Sequence, residues 1–246
     1  MKKTGISILA LGILATGCTS DTDSDLLKTK AIQAEILVSS NGERTKVNAE
    51  LNSGNSFGSN VRLSNGDKIY AEVHNKRIQL EEDTDILDID YEGRFSGSEE
   101  TAEFKVELIR SSAQNASSTV ELPLNFKILA PNSNSEIRYN QSVNVLLDGV
   151  DVGSKNEFIL NYICDNNNGG TTSGSASRQF ENKSSFTLNL HTLKLLENVN
   201  LSSVKNCELD VIINRYKLGN ISSEFADSSQ IRAEQTRKIE NITFKI

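Results

Sequence analysis

The stretch EFILNYIC, residues 157–164, has an apolar side chain at every second position, and this period of two residues decides the fold class. Every second residue from Phe158 to Cys164 is apolar, and successive side chains of an extended strand point to opposite faces. The stretch CELDVII, residues 207–213, begins the same alternation with Cys207. Both stretches therefore predict half-buried β-strands.

The same two-residue period recurs over most of the chain. Turn-forming stretches such as Asn41-Gly42 and Asn65-Gly66 separate the periodic segments. The stretch HTLKLLE, residues 191–197, instead predicts one or two helical turns. The predicted strands are residues 31–38, 45–52, 68–74, 76–80, 85–93, 102–109 and 118–129, followed by SEIRYN, SVNVLLDG, EFILNYIC, SFTLNL, CELDVIINRY and RKIENITFKI.

Many short strands with almost no helix predict an all-β fold of two tandem antiparallel β-sandwiches. PLNFKI and NITFKI form a weak internal repeat, and the pattern breaks near Pro131. We expect β-sandwich domain 1 at residues 30–129 and β-sandwich domain 2 at residues 130–246. In this pattern the chain resembles bacterial immunoglobulin-like and fibronectin-III-like modules.

The chain has three cysteines, and two of them lie in predicted strands. Cys164 ends its strand and Cys207 begins its strand, so antiparallel pairing would bring both to the same end of a sheet. In an exported protein such a pair predicts a disulfide, which adds about 4 kcal/mol on the chain-entropy model. Two buried free thiols are the alternative. A metal site is not indicated, because His74 and His191 are too distant in the sequence from Cys164 and Cys207 to match the usual spacing of metal ligands.

The N-terminal stretch MKKTGISILALGILATGC has a basic start, an apolar run and small residues before a cysteine, which is the layout of an export signal. Its end, ATGC, resembles a bacterial lipobox, with Ala15 at the position where Leu is commonest. The resemblance implies that residues 1–17 are a signal peptide, that Cys18 carries a diacylglycerol, and that its amine is acylated, for example by palmitate. A plain secretory signal with an incidental cysteine is the alternative. Thr19 after the cysteine, in place of Asp, favours the outer membrane by the same resemblance.

The stretch TSDTDSDLLKT, residues 19–29, is polar and acidic, so residues 18–29 are predicted to be a disordered, lipidated tether. The formal net charge is −7, and cleavage after residue 17 would remove Lys2 and Lys3 but no acidic residue. This balance argues against nucleic acid as a partner, because a basic patch supplies most of the affinity in such complexes. It also argues against electrostatic binding to anionic lipid.

The best candidate for cation chemistry is DIDYEGRFSGSE, residues 88–99. Asp88, Asp90, Glu92 and Glu99 match oxygen-ligand positions of a calcium loop of the EF-hand type. In an extended strand, by contrast, the first three carboxylates form an ordinary solvated face opposite apolar side chains. The alternating flanks favour the strand, and no cofactor other than calcium is indicated.

The sequence contains no G-x-S-x-G motif, no H-E-x-x-H motif and no phosphate-binding loop. His74 and His191 are expected to be surface or cap residues, and DNNNGGTTSGSASR, residues 165–178, is predicted to be a mobile surface loop. We therefore expect a non-enzymatic, lipid-anchored outer-membrane protein that binds an envelope protein or a surface partner. A carbohydrate- or substrate-binding lipoprotein, with or without calcium, is the alternative.

Overall fold

The computed structural model describes residues 21–84, 88–97, 100–181, 183–197 and 199–246. Within these ranges the chain forms strands joined by turns and three short 3-10 helices, Ser24–Leu26, Thr29–Ala31 and Leu201–Ser203. The strands are β1 (Thr22–Asp23), β2 (Ile32–Ser40), β3 (Arg44–Ser53), β4 (Val61–Arg62), β5 (Lys68–Val73), β6 (Lys76–Gln79), β7 (Glu81–Thr84), β8 (Ile89–Ser96), β9 (Glu103–Ile109), β10 (Ala116–Glu121), β11 (Ile128–Ala130), β12 (Glu136–Arg138), β13 (Ser142–Leu147), β14 (Lys155–Asn166), β15 (Thr171–Glu181), β16 (Ser185–Asn189), β17 (Val204–Leu218) and β18 (Gln230–Lys245).

One large sheet runs through both halves of the molecule. Its strand order is β15-β14-β17-β18-β2-β3-β8-β7, and β12 also pairs with β18. Most neighbours are antiparallel, but β18 runs parallel to β2 and to β12. A four-stranded sheet, β10-β9-β5-β6, and a three-stranded sheet, β11-β13-β16, complete the two halves, and β1 pairs with β4. The predicted all-β sandwich fold is confirmed.

Two separate hydrophobic cores lie along the large sheet. The first collects the inward faces of β2, β3, β5, β8, β9 and β10, with Phe95 and Phe104 in an edge-to-face contact at 5.5 Å between ring centroids. The second collects the inward faces of β13, β14, β17 and the end of β18. Phe225, Ile231 and Ala233 pack into the first core although they lie near the C-terminus. β18 therefore ties the two cores together.

A buried arginine, Arg215, and a half-buried one, Arg237, hold the connection between the cores. The guanidinium of Arg215 lies 4.6 Å from the ring centroid of Phe126 and donates to the carbonyl of Gly149 at 2.7 Å. Arg237 donates from Nε to the carbonyl of Phe126 at 3.0 Å and from Nη1 to the carbonyl of Ser40 at 3.3 Å. The segment after β10 is thus fixed to strands of both halves. Residues 118–129 do not form the single predicted strand, because β10 ends before Pro123, which has no N–H for a strand ladder.

The prediction of a disordered segment at residues 19–29 is wrong from residue 21 onward. Ser24 and Thr29 are buried, and the guanidinium of Arg110 donates to the carbonyls of Ser24 (2.6 Å) and Leu27 (2.9 Å) and to the hydroxyl of Thr29 (3.1 Å). Arg110 also forms an ion pair with Asp67 at 2.7 Å, and both side chains are fully buried. The polar composition suggested disorder, but the polar groups of this segment form hydrogen bonds with the buried side chains of Arg110 and Asp67.

The prediction of a mobile loop at residues 165–178 is also wrong. Residues 171–181 form β15, which pairs with β14 without a register shift from Asp165↔Thr171 to Lys155↔Glu181. Small side chains permit this pairing, and Gly174 lies against the ring of Tyr162, where a Cβ atom would approach Cε1 to 2.6 Å. The predicted helical turns at residues 191–197 are observed as successive turns with hydrogen bonds such as Lys194 N–H to His191 C=O at 3.2 Å.

Candidate functional site

The most distinctive surface is the edge of the large sheet at β15. This eleven-residue strand has one partner strand, β14, among the described residues, so the backbone groups on its other side face outward. Its sequence, TTSGSASRQFE, contains no proline or lysine, and its first seven residues are uncharged. Charges, prolines and bulges are the usual devices that block an exposed edge. β15 is therefore a long and unprotected edge.

The opposite edge of the same sheet is protected. β7 is only four residues long, and its sequence is EEDT with every side chain exposed. Short length and like charges oppose the addition of another strand. Of the two edges, only β15 is suited to pairing with a further chain.

The disulfide predicted from strand phase is confirmed. Cys164 and Cys207 are bonded, with their Cα atoms 4.1 Å apart, across the neighbouring strands β14 and β17. The ladder between these strands shifts register just there, between Ile163 and Asp165. The bond therefore closes one end of the second half, where the turn between β14 and β15 also lies.

A groove of about 740 Å³ lies beside this disulfide. Its walls come from the start of β17 and the end of β18, with Lys205, Cys207 and Phe244 among the residues that line it. Next to it, the rings of Tyr139 and His191 meet edge to face at 5.7 Å. The end that carries the disulfide therefore presents both a groove and an edge-to-face ring pair.

A cluster of carboxylates lies on the solvated face of the first half. One oxygen from each of Glu50, Asp88 and Asp90 lies within 4.8 Å of the others, and all three residues are half-buried. The strand register explains the contact, because Glu50 of β3 is the direct partner of Asp90 in β8. Asn48 donates to Asp90 at 3.0 Å.

Burial and mutual repulsion raise the pKa of two of these acids. The pKa of Glu50 is raised chiefly by burial, and the carboxylates of Asp88 and Asp90 add to the shift. The pKa of Asp90 is likewise raised by burial and by its neighbours Asp88 and Glu92. Three oxygens at this separation can share one calcium ion, whose ligand oxygens lie at about 2.3–2.6 Å, with water completing the shell. A cation would relieve the repulsion.

Of the four calcium ligands that the sequence suggested, the fold brings only two into the carboxylate cluster. Asp88 and Asp90 join the cluster, but Glu92 forms an ion pair with Lys46, which contributes to a pKa below the usual range for glutamate. Glu99 lies outside the described residues. The strand interpretation of this stretch is confirmed, because β8 spans Ile89–Ser96 with Ile89 and Tyr91 buried opposite the acidic face. Glu50 was missed because it comes from another strand.

The two histidines lie in different halves of the molecule, and both are exposed. His74 stands in the turn between β5 and β6 with a φ of 46°, and His191 follows β16. Cys18, the predicted lipidation site, lies outside the described residues. No helix in the described part of the chain is long and apolar enough to cross a membrane.

No family model matches the chain, and no curated protein matches it. Among solved structures, it is similar to fibronectin(III)-like modules of Clostridium thermocellum CbhA, with 10% identity, a TM-score of 0.21, and coverage of 86% of this chain and 91% of that one. It is also similar to the IG1 and IG2 domains of DIP-gamma (9% identity, TM-score 0.23, coverage 89% and 99%). A third similar structure is the titin Z1Z2 pair in complex with telethonin (10% identity, TM-score 0.25, coverage 89% and 100%). Scores this low carry no argument about function.

Proposed function

We propose that the chain is a lipid-anchored protein of the bacterial outer membrane that acts by contact rather than by catalysis. In this proposal Cys18 holds the protein on the membrane, and β15 receives an extended segment of an envelope protein as an additional strand. The observation that carries the proposal is the unprotected edge of β15, eleven residues long and without a register shift. The lipobox resemblance supports the anchor.

Strand addition uses groups that β15 already presents. Alternate residues of an edge strand direct both N–H and C=O outward, so about five residues of β15 offer paired donors and acceptors. A partner segment would satisfy them with main-chain hydrogen bonds, while its side chains would meet the exposed serine-rich face. The absence of charge in the first seven residues means that no salt bridge has to be broken on binding.

The position of β15 also suits a membrane-anchored protein. The start of β18 lies beside β2, close to where the described chain begins, and its end lies beside Cys207. Its sixteen residues span about 50 Å at roughly 3.3 Å per residue. The disulfide and the turn before β15 therefore lie at the end of the molecule away from the predicted anchor. A partner would meet this end first.

Proline substitution in β15 tests the proposal. Successive N–H groups of a strand point to opposite sides, so one of Ser175→Pro and Ala176→Pro removes an outward N–H and the other removes a bond to β14. Thermal unfolding distinguishes the two variants, because only the variant that loses a hydrogen bond to β14 should have a lower unfolding temperature. The variant that keeps wild-type stability is then used to pull partners from detergent-solubilised envelope.

The matched control is Ser175→Ala, which changes a β15 side chain but keeps every backbone N–H. We expect the control to retain the same captured protein as the wild type and the stable proline variant to lose at least about tenfold in affinity, the equivalent of one or two hydrogen bonds. Equal capture by both variants would show that β15 is not the contact surface.

The carboxylate cluster supports a second candidate, a calcium-dependent ligand-binding lipoprotein. Its specific support is the proximity of Glu50, Asp88 and Asp90 and the raised pKa values of Glu50 and Asp90. Calcium should then raise the unfolding temperature of the wild type but not of Glu50→Gln. The same temperature with and without calcium would remove this candidate.

A further inference from the structure

Phe57 is the most exposed large apolar side chain of the described chain, with 97% of its surface in contact with solvent. It stands in the loop at residues 54–60, between β3 and β4. Transfer of an exposed phenylalanine side chain out of water is favourable by about 1.5–3 kcal/mol of free energy. An apolar surface that covers the Phe57 ring would therefore be held by that amount.

The loop is built to hold the ring outward. Gly54 N–H bonds to Ala31 C=O at 2.8 Å, Gly58 N–H bonds to Asn55 C=O at 2.8 Å, and Phe57 N–H bonds to the side chain of Asn55 at 2.9 Å. A Cβ atom at residue 58 would overlap the carbonyl oxygen of Ser53, so this close turn requires a glycine. Phe57 is therefore presented by a well-bonded turn.

The same loop holds the first residues of the described chain. Thr22 N–H bonds to Asn60 C=O at 2.8 Å, and the hydroxyls of Thr22 and Ser59 are 2.7 Å apart. Only three residues separate Cys18 from Thr22. Four extended steps of chain reach at most about 14 Å, so a lipid attached at Cys18 would be tethered to Thr22 by no more than that length of backbone. A lipid on Cys18 would bring the loop to the membrane surface.

We infer that Phe57 inserts into the outer part of the bilayer as a second contact beside the lipid anchor, and that it thereby sets the orientation of the protein. This inference rests on the proposed lipidation of Cys18. The occupant is a zwitterionic lipid surface, because the segment bonded to the loop carries three carboxylates, Asp21, Asp23 and Asp25. Arg62 pairs only with Asp21 among these three, at 3.0 Å, so the remaining negative charge repels anionic headgroups. The phenylalanine ring is apolar throughout, and apolar side chains of this kind bury themselves at the boundary between headgroups and acyl chains.

The chain contains no tryptophan, so a single introduced one reports its own environment. The experiment uses lipidated Phe57→Trp protein in phosphatidylcholine vesicles that contain phosphatidylcholine brominated in its acyl chains. The matched control is Val152→Trp, at another apolar position with 84% exposure, in the loop between β13 and β14. We expect a blue shift and strong quenching of the tryptophan at residue 57, and neither effect at residue 152.

The outcomes separate this inference from the proposed function. If mass spectrometry finds no acyl groups and the protein does not float with vesicles, the lipid anchor is wrong and the inference fails with it. If the protein is acylated and floats, but both tryptophans have the same emission with and without brominated lipid, Phe57 does not enter the bilayer. That result overturns the inference and leaves the anchor intact.

Discussion

Replacement of Arg110 by Met should remove much of the stability of the first half of the molecule. The wild-type guanidinium is fully buried, forms an ion pair with Asp67 at 2.7 Å, and donates to three groups of the segment at residues 24–29. Methionine fills similar space but donates nothing. Asp67 and two backbone carbonyls would then lose a partner in a site without access to water.

The magnitude follows from burial. Removal of one partner from a buried, hydrogen-bonded ion pair costs about 3–5 kcal/mol, because the other charge stays buried without compensation. The matched control is Lys30→Met, whose ion pair with Asp227 joins side chains that are 56% and 93% exposed. Exposed pairs contribute about 0–1 kcal/mol. Both variants remove an ion pair, so the difference between them measures the effect of burial together with the three further hydrogen bonds that Arg110 donates.

The dependence on pH provides a second check. Burial alone would raise the pKa of Asp67, but hydrogen bonds from the Ser111 N–H, Ser24 and Arg110 hold it below the usual range. A lowered pKa adds stability that is present above the unfolded value, about 3.9, and is lost as the pH falls through the folded value. The difference between wild type and Arg110→Met should therefore be full at pH 7 and shrink below about pH 4.

Urea unfolding at pH 7 and again below about pH 4 measures the loss of stability and its dependence on pH. Limited proteolysis shows whether residues 24–29 have become accessible. We expect Arg110→Met to unfold about 3–5 kcal/mol more easily than the wild type and to be cut in this segment. A loss of less than about 1 kcal/mol, equal to that of Lys30→Met, would refute the assignment of a stabilising role to the buried network.

Three further predictions concern other parts of the chain. Replacement of Cys164 and Cys207 by Ser should cost about 4 kcal/mol in urea unfolding, because the disulfide closes a loop with a sequence separation of 43; an unchanged midpoint would contradict this. Glu50→Gln should raise the free energy of unfolding at pH 7 without calcium by about 1 kcal/mol, since it removes repulsion between carboxylate oxygens that lie within 4.8 Å of one another. The gain should vanish below about pH 4, and a loss of stability at pH 7 would contradict the repulsion. Cys18→Ala should leave an uncut precursor without acyl groups, which mass spectrometry of the membrane fraction detects; a normally cut and acylated variant would contradict lipidation at this residue.

The alternation of side chains was sufficient to predict most of the fold. It located strands such as β2, β9 and β14 because each has one face in a core and one in solvent. The phase of Cys164 and Cys207 within their strands also predicted the disulfide. The alternation did not reveal β15, because the small polar side chains of this strand pair with β14 without an apolar period. It also could not show that β18 runs parallel to β2, because pairing direction depends on residues almost 200 positions apart.

The candidate sites depended more strongly on long-range contacts. The sequence grouped Asp88 and Asp90 with Glu92 and Glu99 because they are close in the chain, whereas strand pairing adds Glu50. Arg110 carried no signal, because a charged residue at the end of a strand is typical of a surface. Its partner Asp67 is 43 residues away, and only the packed structure places both out of solvent.

Hydrogen exchange of the β15 amides tests the proposed contact most directly. The measurement compares the anchored protein alone with its complex with the envelope protein captured by the wild type. We expect every second amide of residues 171–181 to exchange more slowly in the complex, because the outward N–H groups gain partners, while the amides of β7 keep their rates. Unchanged exchange throughout β15 in a saturated complex would contradict strand addition at this edge.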